Sequence, residues 1–199
     1  LLKKNNCDIV YIPKVEDLYI KSEEPKTYDF NGLETVMEGK HRPGHFNGVA
    51  TIVEKLFNII KPEKAFFGEK DLQQLQIVKE LVKKMKVNTI IKSIPTVREL
   101  SGLAKSSRNE LLTQAQKEEA SVIYKTLLYC KQNKQTPIKE LKKHASDKIV
   151  GSKSIELEYI EFVNLETMRA INSWKEVNKN AICIAAYINK VRLIDNIIL

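Results

Sequence analysis

The sequence predicts an α/β protein in which a parallel sheet with connecting helices is followed by a small α+β domain with an antiparallel sheet. Short apolar, β-branched runs alternate with helical stripes in the first half of the chain, the pattern of a parallel sheet with right-handed crossovers. From about residue 97 this alternating pattern ends, and the sequence predicts amphipathic helices followed by β-rich runs. We therefore expect two domains, over residues 1–96 and 97–199.

The first half predicts strands and helices in alternation. The runs CDIVYIP (7–13), KAFFG (64–68) and NTIIKSIP (88–95) are short, apolar and bounded by Pro or Gly, which is typical of buried parallel strands. Residues 44–60 and 71–86 repeat apolar side chains at three- and four-residue steps, which defines one face of a helix. Ligands of such sheets bind at the carboxyl ends of the strands.

The second half predicts a long helix over about residues 110–132, a shorter one over 136–150 and then three strands. The strand runs are SIELEYIEFVN, AICIAAYIN and KVRLIDNIIL. Because only Asn189 and Lys190 separate the last two runs, we expect a tight hairpin there.

Composition excludes several classes of protein. Cys7, Cys130 and Cys183 are far apart and lack CxxC or Cys/His ligand spacing, which argues against a disulfide framework or a zinc site and suits a reducing cytoplasm. No apolar run approaches the roughly 18 residues of a membrane span, so we expect no membrane partner. The formal charge of +8 suits phosphate-bearing ligands or nucleic acid. No nucleic-acid motif accompanies that charge, and the lysines follow solvated helix faces, so we expect no nucleic-acid partner.

Two loops carry polar side chains near predicted strand or helix ends. In EGKHRPGHFNG (38–48), Arg42 and His45 offer a cation and a hydrogen-bonding ring to an anion, or they serve the loop structurally. In PTVRE (95–99), the backbone of Val97 could hydrogen-bond a flat base, or the segment is a linker between domains.

A third loop, FFGEKDLQQ (66–74), leaves a strand and begins a helix. Gly68 permits close approach to its backbone, and Lys70 presents a charge suited to a phosphate at a helix N-terminus. Asp71 either accepts hydrogen bonds from ribose hydroxyls or caps the helix. Gln74, one turn later, either binds a substrate hydroxyl or carboxylate or lies on the surface.

The fourth polar segment is LAKSSR (103–108), directly before the long predicted helix. Lys105, Ser106, Ser107 and Arg108 form either a phosphate clamp or an ordinary polar capping turn. The chain has no Ser/His/Asp triad, GxSxG elbow, P-loop or GxGxxG motif. Nucleophilic hydrolysis and Walker-type use of ATP are therefore not expected.

Taken in order, EGKHRPGHF, FFGEKDLQQ, IPTVRELSGLAKSSRN and the C-terminal VRLIDN resemble the pantoate–β-alanine ligase family over essentially the whole chain. The resemblance implies an incomplete Rossmann-like nucleotidyltransferase domain followed by a small α+β lid domain. It also implies a two-step ligase reaction, in which ATP and pantoate give a pantoyl adenylate and pyrophosphate, and β-alanine then releases AMP and forms pantothenate.

The resemblance assigns roles to residues that match the family's motifs. It implies catalytic roles for Lys70, Ser106 and Arg108, pantoate binding by Gln74, and positions near the active site for Arg42 and His45. The residues it implies in ATP binding are Gly68, Glu69, Lys70, Asp71, Val97, Lys105, Ser106, Ser107 and Arg108.

The sequence departs from the family's pattern at its N-terminal side. The family carries a His-x-Gly-His motif, a second pantoate-binding glutamine and an acidic segment for magnesium, and none of these occurs here; His41, His45 and His144 lack the motif's spacing. We therefore expect the chain to be the C-terminal two-thirds of the enzyme, inactive alone, with the ligands of Mg2+ outside it. The resemblance also implies a homodimer. The alternative is a non-catalytic nucleotide- or nucleic-acid-binding module with the same loops.

Overall fold

Two sheets, one parallel and one antiparallel, organise the residues that the computed structural model describes, which are 2–19, 26–152, 154–176 and 178–199. The α-helices are α1 (Val15–Leu18), α2 (Met37–His41), α3 (His45–Ile60), α4 (Leu72–Met85), α5 (Gln114–Gln132) and α6 (Ile138–Val150). The strands are β1 (Lys64–Gly68), β2 (Ile90–Ile94), β3 (Ile155–Asn164), β4 (Asn180–Ile188) and β5 (Val191–Ile198).

Strands β1 and β2 pair in parallel, with Lys64 opposite Ile90 and Gly68 opposite Ile94. Helix α4 connects them and buries its apolar stripe, including Leu75 and Leu81. This β1–α4–β2 unit confirms the later part of the predicted alternation, and it places the residues after Gly68 at the carboxyl end of the sheet.

The strand expected over residues 7–13 is wrong. This run forms no strand and pairs with no described strand, and its side chains are exposed, Ile9 by 84% and Ile12 by 82%. The physical reason is that strands β1 and β2 pair only with each other within the described residues. An extended run without a neighbouring strand gains neither ladder hydrogen bonds nor apolar burial.

The antiparallel sheet has the order β3–β4–β5. The predicted hairpin is confirmed, since Ile188 pairs with Val191 and Asn189 adopts a positive φ of 52° in the turn. The long helix begins later than expected, at Gln114. Its start is fixed by a capping box, in which the Thr113 hydroxyl accepts from the Gln116 N–H and the Gln116 side chain accepts from the Thr113 N–H.

Two hydrophobic cores hold the elements together. One packs α5 and α6 against the antiparallel sheet, and the other joins residues near α3 and α4 to Val163, Ala181 and Cys183 of the same sheet. The second core contains residues from both predicted domains. The expected domain boundary between residues 96 and 97 therefore stays a prediction. No helix within the described ranges is long and apolar enough to cross a membrane.

Candidate active site

A cavity of about 210 Å³ lies between the turn that follows β1, the segment before α5 and strand β5. A smaller cavity of about 40 Å³ extends toward α3 and α4. The two cavities share a wall, because Glu38, Arg42, Lys70, Asp71 and Asp195 line both. They stand at the carboxyl end of β1, where ligands bind in α/β sheets.

The turn after β1 presents Lys70 and Asp71 to both cavities. Residues Glu69–Asp71 form one 3₁₀ turn, and α4 begins directly after it. Asp71 occupies the N-cap position of α4, but among the described residues its side chain accepts no capping hydrogen bond. Its carboxylate is half exposed and lies 3.9 Å from the Lys70 ammonium, so both charged groups are available to a ligand.

The segment LAKSSR divides between the cavity and the surface. Ser106 and Arg108 line the larger cavity, as Lys70 does. The Ser106 hydroxyl also accepts a hydrogen bond from the Arg108 backbone N–H at 3.2 Å, so the capping and clamp interpretations are compatible. Lys105 and Ser107 are exposed, and Lys105 lines a separate surface recess instead.

The Arg108 guanidinium is held by strand β5. Its Nη1 donates to the backbone carbonyl of Arg192 at 3.2 Å. Within the described part of the chain no carboxylate forms an ion pair with Arg108. Its positive charge is therefore not neutralised by a neighbour, which suits an anionic ligand.

Arg42 and His45 lie together in the smaller cavity. The Arg42 Nη1 and the His45 Nε2 are 3.0 Å apart, and because a guanidinium only donates, the ring nitrogen accepts. Burial and the positive charge of Arg42 lower the pKa of His45. His45 is therefore a neutral ring at neutral pH, with its proton on Nδ1.

Glu38 and Arg192 are site residues that the sequence reasoning missed. Arg192 donates two hydrogen bonds to the Glu38 carboxylate, at 2.8 and 2.7 Å, and further bonds to Glu158. The Tyr159 hydroxyl donates to the same Glu38 carboxylate at 2.7 Å. Burial raises the pKa of Glu38, but the hydrogen bonds from Arg192 and Tyr159 outweigh it, so the net pKa is lowered. Glu38 is therefore a carboxylate with fixed partners.

Strand β5 contributes a second missed group. Asp195 accepts from both terminal nitrogens of Arg98, at 2.6 and 2.9 Å, and the Arg98 guanidinium stacks 3.6 Å from the Tyr124 ring centre. The Asn196 side chain donates to backbone carbonyls of the turn after β1. The available signal in the sequence was the polar residues within VRLIDN, an otherwise apolar strand.

The remaining predicted residues are placed unevenly. Gln74 lines the smaller cavity with Arg42 and His45. Val97 is 62% exposed, and it is not among the described residues that line either cavity. Gly68 and Glu69 precede Lys70 and are not among the described residues that line either cavity.

The described residues offer limited means to hold a metal ion. No group of three or more His, Cys, Asp or Glu side chains comes together in the described ranges. Of the carboxylates that line the larger cavity, Glu38 is paired with Arg192 and Asp195 with Arg98, which leaves Asp71. One carboxylate is less than a resident site requires, although Mg2+ often binds through one or two carboxylates and the phosphates of a nucleotide.

Sequence comparisons match nearly the whole chain to proteins of one family. The family model for pantoate-beta-alanine ligase matches residues 1–198. The chain is 47% identical over 198 residues to a pantothenate synthetase of Azobacteroides pseudotrichonymphae, which covers 99% of this chain and 70% of the relative. It is 44% identical to a pantothenate synthetase of Flavobacterium psychrophilum, and this match covers 97% of this chain and 69% of the relative.

Comparisons with solved structures give the same result. The pantothenate synthetase of Thermus thermophilus matches with a TM-score of 0.91 at 32% identity, over 98% of this chain and 71% of that one. The Francisella tularensis pantoate-beta-alanine ligase, complexed with beta-gamma ATP and beta-alanine, matches with a TM-score of 0.71 at 36% identity. This match covers 98% of this chain and 66% of that one. The nucleotidyltransferase-type α/β fold is thus confirmed. With sequence and fold in agreement, the chain belongs to the pantoate–β-alanine ligase family.

Proposed function

We propose that the chain serves the ATP-dependent condensation of pantoate with β-alanine to pantothenate, with AMP and pyrophosphate as the other products. The observation that carries this is the convergence of Lys70, Asp71, Ser106 and Arg108 on one cavity. These side chains belong to two segments far apart in sequence, in a chain that matches the family over residues 1–198.

In the first step, a carboxylate oxygen of pantoate attacks the α-phosphorus of ATP, and the bond from that phosphorus to pyrophosphate breaks. Negative charge grows on the leaving pyrophosphate. The Lys70 ammonium and the Arg108 guanidinium, which line the same cavity, would offset that charge. The Ser106 hydroxyl accepts from a backbone N–H, so its own proton is free to be donated to a phosphate oxygen.

The remaining family positions complete ATP binding in this proposal. Gly68, Glu69 and Asp71 would surround the nucleotide at the turn after β1, and Val97 would meet the adenine. Lys105 and Ser107, whose side chains are exposed, would contribute to phosphate binding from the same segment.

Pantoate would contact the wall of the smaller cavity, whose volume of about 40 Å³ holds only part of the molecule. Gln74 would bind a hydroxyl of the substrate, and the guanidinium of Arg42 would attract its carboxylate. A neutral His45 accepts from Arg42 and thereby orients the guanidinium without adding a second charge.

In the second step, the neutral amine of β-alanine attacks the acyl carbon of pantoyl adenylate. The carbon–oxygen bond to AMP breaks, the amide bond forms, and the amine releases a proton. The residues' contribution is to hold both reactants in position, since adenylation has already made AMP a good leaving group.

Mg2+, a homodimer and a cytoplasmic location complete the proposal. Mg2+ would enter with the phosphates of ATP, and we assign no step to a metal held by the described residues. The cysteines Cys7, Cys130 and Cys183 are free thiols, which suits a reducing compartment.

The test uses the full gene product that carries these residues. With radiolabelled pyrophosphate, exchange into ATP should require pantoate, and AMP should accumulate only when β-alanine is also present. Glycine in place of β-alanine is the matched control for the second step. Exchange without pantoate would overturn the proposed reaction. Salt-sensitive binding of DNA or RNA with no ATP chemistry would favour the binding module instead.

A further inference from the structure

We propose that Asn196 is a positioning residue for Lys70, because it fastens the turn after β1 to strand β5. The inference rests on the proposed function, in which the Lys70 ammonium meets the phosphates of ATP. The inference adds Asn196, which lies near the C-terminal end of the chain, to the residues that serve the proposed site. Asn196 acts on that site by fixing the position of Lys70.

The contact consists of one amide group and two consecutive carbonyls. The Asn196 Nδ2 donates to the backbone oxygen of Glu69 at 2.8 Å and to that of Lys70 at 2.9 Å. The side chain is 5% exposed, and these two bonds use both of its N–H donors. Two bonds from one planar group fix the orientation of the turn as well as its distance from β5.

Asn196 is itself held firmly. Its backbone lies in the antiparallel sheet, opposite Cys183 of β4, and its N–H donates to the Asp195 carboxylate at 2.8 Å. Asp195 in turn accepts two hydrogen bonds from Arg98. The amide therefore extends from a rigid strand, so it can impose a position on the turn.

The position of Lys70 matters because its backbone and side chain face different partners. The carbonyl of Lys70 is bound to Asn196, while its side chain lines both cavities and is 22% exposed. Displacement of reacting groups by about 1 Å can cost on the order of a hundredfold in rate. Loss of the two bonds would let the turn shift and take the ammonium with it.

The competing explanation is that Asn196 only satisfies two carbonyls and stabilises the fold. The two explanations differ in their dependence on Lys70. A positioning residue has no further effect once the Lys70 ammonium is removed, whereas a structural residue has the same effect with or without it.

The experiment is a double-mutant cycle in the full gene product. Asn196→Ala and Asn196→Asp are made alone and together with Lys70→Ala. Asn180→Ala and Asn180→Asp are the matched controls, because Asn180 begins the neighbouring strand β4 and is similarly buried, at 8% exposure. The readouts are kcat and KM for pantoate-dependent exchange, the Kd of β,γ-methylene ATP, and the melting temperature.

We expect Asn196→Ala to lower kcat about 10- to 100-fold and to weaken binding of the ATP analogue. In the Lys70→Ala background the same change should alter either quantity less than about twofold, and the Asn180 variants should also stay within about twofold of their parent. Asn196→Asp removes the donors and sets a carboxylate against the two carbonyl oxygens, so its loss should be at least as large as that of Asn196→Ala.

Several results would overturn the inference. These are an unchanged kcat and Kd in a folded Asn196 variant, an equal loss with and without Lys70, or an equal loss in the Asn180 variants. Unfolding of both Asn196 variants while the Asn180 variants stay folded would make the residue structural. If the unsubstituted protein shows no pantoate-dependent exchange, the proposed function fails, and the cycle in analogue binding still decides the role of Asn196.

Discussion

The Glu38 carboxylate and the Arg192 guanidinium form a two-pronged ion pair, with oxygen–nitrogen distances of 2.8 and 2.7 Å. Their side chains are only 10% and 12% exposed. The pair joins helix α2 to strand β5 beside the cavities, so it connects the loop that carries Arg42 and His45 to the antiparallel sheet. A buried pair of this kind is costly to break, because the remaining partner keeps an uncompensated charge.

We expect Glu38→Gln to lower the free energy of unfolding by about 3 kcal/mol, because among the described residues Arg192 then keeps Glu158 as its one charged partner. Urea denaturation at neutral pH measures the change. The control is Glu156→Gln, an exposed carboxylate on β3, which should stay within about 0.5 kcal/mol of the unsubstituted protein. Equal losses in the two variants would contradict a special role for the pair.

The stabilisation by Glu38 should depend on pH in a defined direction. Burial raises the pKa of Glu38, but the hydrogen bonds from Arg192 and Tyr159 lower it by more than burial raises it. The net pKa therefore lies below the ordinary value of 4.5. A carboxyl group with a lowered folded-state pKa stabilises the protein above its unfolded pKa and loses this contribution as the pH falls through the folded value. The difference in melting temperature between the unsubstituted protein and Glu38→Gln should therefore narrow below about pH 4.5. A melting-temperature difference that stays constant from pH 7 down to acidic pH would contradict this role of Glu38.

Removal of the cavity's cations should affect rate more than stability. We expect Lys70→Ala and Arg108→Ala each to lower the rate of adenylate formation about 100- to 1000-fold, because each removes fixed charge near the leaving pyrophosphate. Single-turnover kinetics measure this, and calorimetry measures stability. Lys84→Ala, an exposed cation on α4, controls for the loss of net charge. Parallel losses of rate and melting temperature in all three variants would favour a purely structural role.

The pair of Arg42 and His45 gives a spectroscopic prediction. Burial and the charge of Arg42 lower the pKa of His45, so Arg42→Ala should raise it by removing the charge and opening the ring to water. NMR signals of the imidazole carbons, followed against pH, measure the change. His144 stacks on Tyr129 away from the cavities, and its signals should be the same in both proteins. A His45 pKa that stays constant or falls would show that Arg42 does not face the ring in solution.

The sequence predicted those parts of the fold that depend on local signals. The apolar stripes of α3 and α4 and the two-residue turn at Asn189 and Lys190 need only neighbouring residues to specify them. The run over residues 7–13 has the composition of a strand, but strand formation also needs a partner, and composition does not supply one.

The candidate site divides in the same way. Motifs located Lys70, Ser106 and Arg108, and the structure brings these side chains to one cavity. The ion pair of Glu38 and Arg192 spans 154 positions, so it depends on how α2 meets the sheet and leaves no mark in either local segment. Polar residues within the apolar strand β5 were the remaining hint, because a buried charge must find a partner.

Two adjacent glutamines provide the sharpest contrast between structure and function. Gln73 is 4% exposed; its Nε2 donates to the carbonyls of Leu33 and Val36, at 2.7 and 2.8 Å, and its oxygen accepts from the Glu38 N–H at 3.0 Å. Gln74 lines the smaller cavity, as Gln73 also does, but Gln74 is partly exposed. We expect Gln73→Ala to lower the free energy of unfolding by about 2–4 kcal/mol, because it leaves buried backbone groups unsatisfied.

For Gln74→Ala we expect the opposite profile. Its stability should stay within about 0.5 kcal/mol of the unsubstituted protein, since a partly exposed side chain is removed from a cavity wall. The KM for pantoate should rise roughly tenfold, because a hydrogen bond to the substrate is lost. Steady-state kinetics at saturating ATP and urea denaturation measure the two quantities in each variant. If Gln74→Ala unfolds as readily as Gln73→Ala, or if Gln73→Ala alone raises the KM, the assignment of pantoate to the smaller cavity is wrong.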